Sequence, residues 1–268
     1  MTDVEPGGRP PLEKEMAAWA GEAAGIALQY FRRTGDLVFK YGQEAVTEAD
    51  GRIEAMLRER IAAAYPDDGI CGEEMGGTPD AGAVARTWHL DPIDGTLNFA
   101  LGLPAFCTSI ALFEGDRPVA ACIMQPVVGD LFTATEGRGA CLNGRPIRVS
   151  ERDRLAAAVV STQLKKDGRV ALRADMLQAL QLRTMKLRRV GAIALELAWT
   201  AAGFYDALLG SFAGTIHTWD AGAGLLLVQE AGGVITDLEG RPYAMGGGEV
   251  LASNGLVHRE LLDLVAVP

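Results

Sequence analysis

The apolar residues of this chain change their period twice, and that change limits what the chain can fold into. Up to residue 65 they recur at helical spacing. Leu12, Met16, Trp19, Ala20, Ala23, Ala27, Tyr30 and Phe31 form one stripe with Glu13, Lys14, Glu22 and Arg32 between them, and Ile53, Met56, Leu57 and Ile61 form a second over about 48–65. Thr47 is placed to cap the second helix, and Pro66-Asp67-Asp68-Gly69 closes it. From Phe106 to Val149 the pattern becomes short β-type runs at 108–113, 118–124, 130–134 and 147–149, each punctuated by Gly, Pro or Asn. Such runs predict a meandering antiparallel sheet. Beyond it, short strands near Val159 and Leu208 alternate with helical stretches at 172–182, 192–202, 221–231 and 257–265, the signature of α/β layers. The expectation is one compact unit of mixed α+β and α/β character. Its N-terminal half spans 11–150 and its C-terminal half 151–268, with the composition shift at about 150–158. Residues 1–10, rich in Pro and Gly, are expected to be disordered.

With 268 residues and 49% hydrophobic content, the chain can bury a substantial core. Lys and Arg total 25 against 35 for Asp and Glu, a net charge of -10, and no basic run is long enough to follow a phosphate backbone. Nucleic acid is therefore not expected as a primary partner. Cys71, Cys107, Cys122 and Cys141 form no CxxC pair, and the amino terminus joins no basic start to an apolar run, so a reducing, cytoplasmic location is expected. The longest apolar stretches, such as 221–228, fall short of the ~20 residues that span a bilayer, so no membrane segment is expected.

The chemistry-bearing signal is a set of carboxylates at turns. Thr87-Trp88-His89-Leu90 reads as a strand delivering Asp91, and Pro92 holds Asp91 extended, so the carboxylate emerges at a strand tip. Asp94 follows three residues later. Gly95 permits close approach of the backbone to a ligand, and Thr96 places a hydroxyl at the first turn of a short helix. Two further acidic sites accompany these: Cys71-Gly72-Glu73-Glu74 after the second helix, and Trp219-Asp220-Ala221-Gly222-Ala223-Gly224 opening a long apolar helix. Taken singly, an Asp before a helix is usually a cap and a Glu pair is usually solvated. Taken together they are hard, oxygen-only ligands of the kind that suit Mg²⁺, whose paired sites lie ~3.5–4 Å apart when one carboxylate bridges them. Asp91 is the bridging candidate. A phosphate monoester needs this arrangement, because its oxygens must be neutralised, a water deprotonated and donors supplied around the phosphate.

These segments resemble the three signature motifs of the inositol monophosphatase family, in the same order: Gly72-Glu73-Glu74, Asp91-Pro92-Ile93-Asp94-Gly95-Thr96-Leu97-Asn98-Phe99, and Trp219 to Gly224. The similarity extends through Val46-Thr47-Glu48-Ala49-Asp50 and Glu230-Ala231-Gly232-Gly233. It implies a layered αβαβα sandwich of the inositol monophosphatase and fructose-1,6-bisphosphatase type, usually a homodimer, acting on a small phosphate ester. It also implies Glu73, Asp91, the Ile93 carbonyl, Asp94 and Asp220 as ligands of two to three Mg²⁺ ions, with Glu73 near a weaker third. In that scheme Thr96 and Asp50 orient and deprotonate a metal-activated water, and the Gly95 and Thr96 amides hold the phosphate. Without the resemblance, Asp50 reads as an exposed residue of the second helix. Lys40 is placed similarly to a family lysine.

Asp94, Gly95, Thr96, Gly191, Ala192 and Asp220 form the expected substrate-binding set. The sequence departs from the family where relatives selective for inositol read the ring: the corresponding stretches are Gly191-Ala192-Ile193 and Leu209-Gly210-Ser211, and the segment from Gly210 to Thr218 runs a few residues longer than usual. Both hydroxyl-reading side chains are absent there. The expected substrate is inositol monophosphate or a related polyol or sugar phosphate. Fructose 1,6-bisphosphate, histidinol phosphate and 3'-phosphoadenosine 5'-phosphate are alternatives, as is a regulatory binding role on the same fold. His89, His217 and His258 have no zinc-like spacing. Gly137-Arg138-Gly139 and Gly246-Gly247-Gly248 read as turns, and Trp219 as packing that positions Asp220.

Overall fold

Helix α1 (Leu12–Tyr30) turns its small and apolar stripe of Met16, Trp19, Ala20, Ala23 and Ala27 inward, as the helical spacing predicts. The computed structural model describes residues 12–33, 38–40, 44–77, 84–164, 174–211 and 216–266. After α1 come β1 (Val38–Lys40) and β2 (Glu44–Val46), an antiparallel ribbon, and then α2 (Glu48–Ala64). The large sheet is built from β3 (Gly69–Gly72), β4 (Gly76–Gly77), β5 (Arg86–Asp94), β6 (Cys107–Glu114), β7 (Arg117–Gln125), β8 (Asp130–Thr135), β9 (Gly139–Leu142) and β10 (Arg145–Ile147), with the short α3 (Thr96–Ala100) between β5 and β6. Its order is β10-β9-β8-β7-β6-β5-β3-β4, with only the β3/β5 pair parallel. The remaining elements are β11 (Val159–Leu164), α4 (Ala174–Arg183), β12 (Lys186–Arg188), α5 (Ile193–Ala201), β13 (Ala207–Ser211), α6 (Thr218–Glu230), β14 (Val234–Thr236), β15 (Glu249–Ser253) and α7 (His258–Val265). Their strands form a second sheet in the order β12-β11-β13-β15-β14.

Alternation along the strands explains the layering. In β6, Ile110 and Leu112 face the core shared with α1 and α2, while Ala111 and Phe113 face the core shared with α5 and α6. In the smaller sheet, Leu208, Val250 and Ala252 join that central core, while Leu209 and Leu251 face α4 and α7. Both sheets are thus covered on both sides, giving five layers, αβαβα. The central core draws on residues from both sides of 150–158, where the chain leaves the large sheet for the small one. Packing dominates the energetics. Exposed ion pairs such as Arg52 with Glu48 or Arg259 with Asp263 contribute ~0–1 kcal/mol each, whereas fully burying one large apolar side chain contributes ~1.5–3 kcal/mol. Trp88 is fully buried, with Trp19 at 5.5 Å and Tyr65 at 5.2 Å, and its indole N–H is satisfied by Asp68 Oδ2 at 2.8 Å.

One strand is displaced from the sequence reading. The run expected at 147–149 is β10 at Arg145–Ile147, and it pairs with β9, which the run pattern did not show. The reason is the turn. Asn143 and Gly144 both have positive φ, 50° and 74°, so they form a two-residue hairpin turn and the strands must begin immediately on either side. The apolar residues beyond it extend past the pairing. The expected disorder of residues 1–10 lies outside the described residues, as do residues 212–215 of the longer segment and residues 172–173 of the expected fourth helix. Among the described residues no helix is long and apolar enough to cross a membrane, and all four cysteines are free.

His258, in the first turn of α7, joins that helix to the smaller sheet: Ser253 Oγ lies 2.8 Å from Nδ1 and Thr236 Oγ1 2.9 Å from Nε2. Burial lowers its pKa, so the folded state favours the neutral ring. The unfolded chain takes up a proton near pH ~6.5, and stability therefore rises with pH through that value and falls as pH drops below it. Acidification from pH 7.5 to 5 is expected to lower the thermal midpoint of the wild type more than that of His258→Gln, a comparison read directly from melting curves. Parallel slopes in the two proteins would exclude this linkage.

Candidate active site

The site forms where β5 breaks register. Its pairing with β6 runs to Asp91 opposite Ser109 and resumes with Asp94 opposite Cys107, so β5 spends one residue more than β6 over this step. Pro92 brings no amide to the ladder, and its carbonyl accepts the Thr108 hydroxyl at 2.8 Å. The irregularity leaves Asp91 and Asp94 both buried at the end of the strand. Gly95 then turns the chain with φ 86°. A Cβ there would lie 3.0 Å from both the Ala105 carbonyl and the Ala192 side chain, so no other residue fits without displacement. Asn98 in α3 ties this turn to the second half of the chain, donating to the carbonyls of Ala105 at 2.7 Å and Val190 at 3.0 Å.

Asp220 comes from the first turn of α6, and the small residues after it explain how that helix reaches the strand tips. A Cβ on Gly222 would meet Phe113 at 2.6 Å and one on Gly224 would meet Leu197 at 2.5 Å, so glycine lets α6 lie close to the large sheet and to α5. The start of α6 is pinned by Thr218, whose hydroxyl lies 2.6 Å from His89 Nδ1, and by Ser109, which donates to the Trp219 carbonyl at 3.3 Å. His89 rests against Phe113 at 4.4 Å, and burial pushes its pKa down to about 4. Trp219 stacks on His217 at 4.4 Å. Glu73 enters from the turn after β3, where its amide donates to the Leu90 carbonyl at 3.1 Å.

These three elements bring carboxylate oxygens of Glu73, Asp91 and Asp220 within 4.8 Å of one another. Burial, then the charges of Glu73, Asp94 and Asp220, raise the pKa of Asp91 well above the usual carboxylate range. Asp91 Oδ1 is buried and has no hydrogen-bond partner among the described residues. Crowded carboxylates, one with an orphaned oxygen, are the donor set a divalent cation fits, and their all-oxygen chemistry matches Mg²⁺. The three histidines take no part in this cluster.

Asp94 sits beside the trio with its carboxylate held by α5. Oδ1 accepts the Ile193 amide at 3.0 Å, Oδ2 accepts the Leu195 amide at 3.1 Å, and the Cys107 thiol lies 3.5 Å from Oδ2. Burial raises its pKa to about 7 against the pull of the Leu195 amide. The loop before α5 is held in turn by Glu196, which is fully buried and accepts the amides of Val190 at 3.2 Å and Ala192 at 3.4 Å together with the side chains of Ser161 and Gln163. Ala192 thereby lies against Gly95, and Gly191 precedes it with φ 84°. Thr96 donates its hydroxyl to the Ile93 carbonyl at 2.9 Å.

Asp50 is buried, not exposed as the helix pattern alone suggests. It faces inward from the first turn of α2, where its Oδ2 accepts the Thr47 amide at 2.8 Å and the Thr47 hydroxyl at 2.6 Å. Lys40 lies in β1, and its side chain is outside the described residues. Sequence reading missed Glu54, Cys107 and Glu196, the buried polar groups behind the site. The available signals were Gly72, where a Cβ would fall 2.2 Å from Glu54 Oε1, and the isolated Glu196 in an otherwise apolar helix.

The sequence profile of the inositol monophosphatase family matches residues 11–266. The Nus factor SuhB of Pseudomonas aeruginosa is 37% identical, covering 90% of this chain and 94% of its own length. The fructose-1,6-bisphosphatase/inositol-1-monophosphatase of Thermotoga maritima is 35% identical, covering 83% of each. The crystal structure of the extragenic suppressor protein SuhB from Bartonella henselae superposes with a TM-score of 0.88 at 30% identity, over 94% of this chain and 97% of the other.

Because the carboxylates repel one another, removing one charge has opposite effects with and without a cation. Asp91→Asn is expected to melt at a higher temperature than the wild type in EDTA, and to lose most of the upward shift that MgCl₂ gives the wild type. Melting curves under the two conditions measure both. An equal MgCl₂ shift in the two proteins would remove Asp91 from the ligand set.

Proposed function

This chain belongs to the inositol monophosphatase family, a family of phosphoric monoester hydrolases, and from that premise we propose that it performs Mg²⁺-dependent hydrolysis of a small polyol or sugar phosphate. The observation that carries the reading is buried Asp91, whose Oδ1 has no hydrogen-bond partner among the described residues and whose carboxylate lies within 4.8 Å of those of Glu73 and Asp220. Glu73, Asp91, Asp94, Asp220 and the Ile93 carbonyl would hold two to three Mg²⁺ ions. Bound there, Mg²⁺ supplies charge against the phosphate oxygens and lowers the pKa of water. The chain's own groups do the rest. The Thr96 hydroxyl and the Asp50 carboxylate orient the attacking water and take its proton, the Gly95 and Thr96 amides donate to the phosphate, and Gly191 and Ala192 border the alcohol. The free cysteines fit a reducing cytoplasm, and the acidic balance argues against nucleic acid as a primary partner. Leu97, Leu101 and Leu103 expose about half of their surface around α3, which supports a homodimer that covers them.

A second reading is favoured by one finding, the 37% identity to a relative named a Nus factor. In it the same fold serves as a binding protein beside catalysis. The intact carboxylate set favours catalysis.

The substrate expectation follows from Gly191-Ala192-Ile193, which offers no side-chain hydroxyl to read a ring. A site that hydrogen-bonds a substrate hydroxyl can reject an analogue lacking it by ~10⁴-fold or more, whereas a site without such groups discriminates weakly. Phosphate release should be measured with Mg²⁺ over inositol 1-phosphate, sugar and polyol phosphates, fructose 1,6-bisphosphate, histidinol phosphate and 3'-phosphoadenosine 5'-phosphate. Comparable kcat/KM values for several small monoesters are expected. A preference for inositol 1-phosphate above ~10³-fold over all others would contradict the specificity argument. Asp220→Asn, which keeps shape but removes charge, is expected to lower turnover at least ~10²-fold. Near-normal turnover would exclude Asp220 as a ligand.

A further inference from the structure

Glu54 is fully buried in the interior face of α2, one turn after Asp50, and lies outside the carboxylate cluster. Its oxygens are directed at the backbone of the turn that carries Glu73. Oε2 accepts the Glu74 amide at 2.8 Å, and Oε1 accepts the Met75 amide at 3.1 Å. Arg58, one helical turn on, donates Nε to Oε1 at 2.8 Å and reaches the Gly76 carbonyl with its other nitrogen. With the Glu73 amide bonded to Leu90, three successive amides of this turn are fixed, one by β5 and two by Glu54.

A buried carboxylate must give up its hydration, and an apolar side chain would fill the same space without that cost. What the carboxylate provides is two acceptors for amides that otherwise point into the interior. The fit leaves no room for alternatives: a Cβ on Gly72 would lie 2.2 Å from Oε1 and 2.8 Å from Oε2, so the glycine before Glu73 is there because Glu54 occupies that space. Arg58 balances the charge, so Glu54 does not add an uncompensated negative charge beside the trio.

We infer that Glu54, clamped by Arg58, is a positioning residue for the cation site: it holds the 73–75 turn so that the Glu73 carboxylate is presented to Asp91 and Asp220. The inference rests on the Mg²⁺-phosphatase reading and adds to it a residue that touches neither the ion nor the substrate. Groups that orient metal ligands typically change metal affinity 10- to 100-fold when altered. Glu54→Gln keeps the volume but turns one acceptor into a donor facing an amide.

The test is calorimetric titration of the full-length, metal-free protein with MgCl₂, with the EDTA melting temperature recorded beside it. Glu54→Gln is expected to raise the Mg²⁺ Kd at least ~10-fold and the half-saturating Mg²⁺ for turnover in parallel, with kcat at saturating Mg²⁺ largely retained. A lowered melting temperature with an unchanged Kd would show a role in stability alone and overturn the inference. If Glu54→Gln does not fold, Arg58→Leu releases the clamp from outside the cluster and is expected to raise Kd by at least about threefold. An unchanged Kd there would overturn it equally. A wild type that binds no Mg²⁺ at all would remove the phosphatase reading itself, which separates that failure from this one.

Discussion

The structure is organised around an unfavourable contact, the approach of the half-buried Glu73 and Asp220 carboxylates and the buried Asp91 carboxylate within 4.8 Å of one another. Burial and the neighbouring charges raise the pKa of Asp91, and like charges so placed oppose folding unless a cation compensates them. Each comes from a different element: the turn after β3, the broken end of β5 and the first turn of α6. No local preference of the chain would assemble them. They are brought together by the cores that clasp the large sheet between α1 and α2 on one side and α5 and α6 on the other. The fold's packing free energy is what holds the three carboxylates together.

Around the trio, buried groups that are not ligands fix the backbone that presents them. Glu54 holds the Glu73 turn, Glu196 holds the loop before α5, and the amides of α5 hold Asp94. Small residues do the complementary work, with Gly72, Gly95, Gly222 and Gly224 each standing where a Cβ would collide with a neighbour. The motif glycines are thus explained by close approach within the protein. Substrate contact is not needed to account for them.

The fold was readable in the sequence wherever burial imposes a period. The stripes of α1 and α2 and the alternation of β6 and β7 are unambiguous because each packs one or both faces against a core. β9 gives no apolar run of its own and β10 lies two residues before the expected run, because both are short and little buried and turn chemistry at Asn143-Gly144 sets their ends where apolar pattern does not. The carboxylates at turns were visible as a group, and the family resemblance assigned their roles. The braces were not visible. Glu54 and Arg58 have the i, i+4 spacing of an ordinary surface pair, and Asp50 looks like any acidic residue in a first helical turn; only tertiary packing turns these side chains inward. A carboxylate whose purpose is to satisfy distant amides leaves no local mark except the glycine it displaces, as at Gly72.

The claim on which the account depends is that Asp91 shares cations with Glu73 and Asp220. Crystals grown with MnCl₂ in place of Mg²⁺, with anomalous diffraction collected at the manganese edge, test it most directly. The account predicts anomalous peaks in contact with both Asp91 and Glu73, and with Asp91 and Asp220, the three side chains staying where they are. It would be contradicted by a trio that binds no manganese at saturating concentration, or by manganese held only at residues outside this cluster.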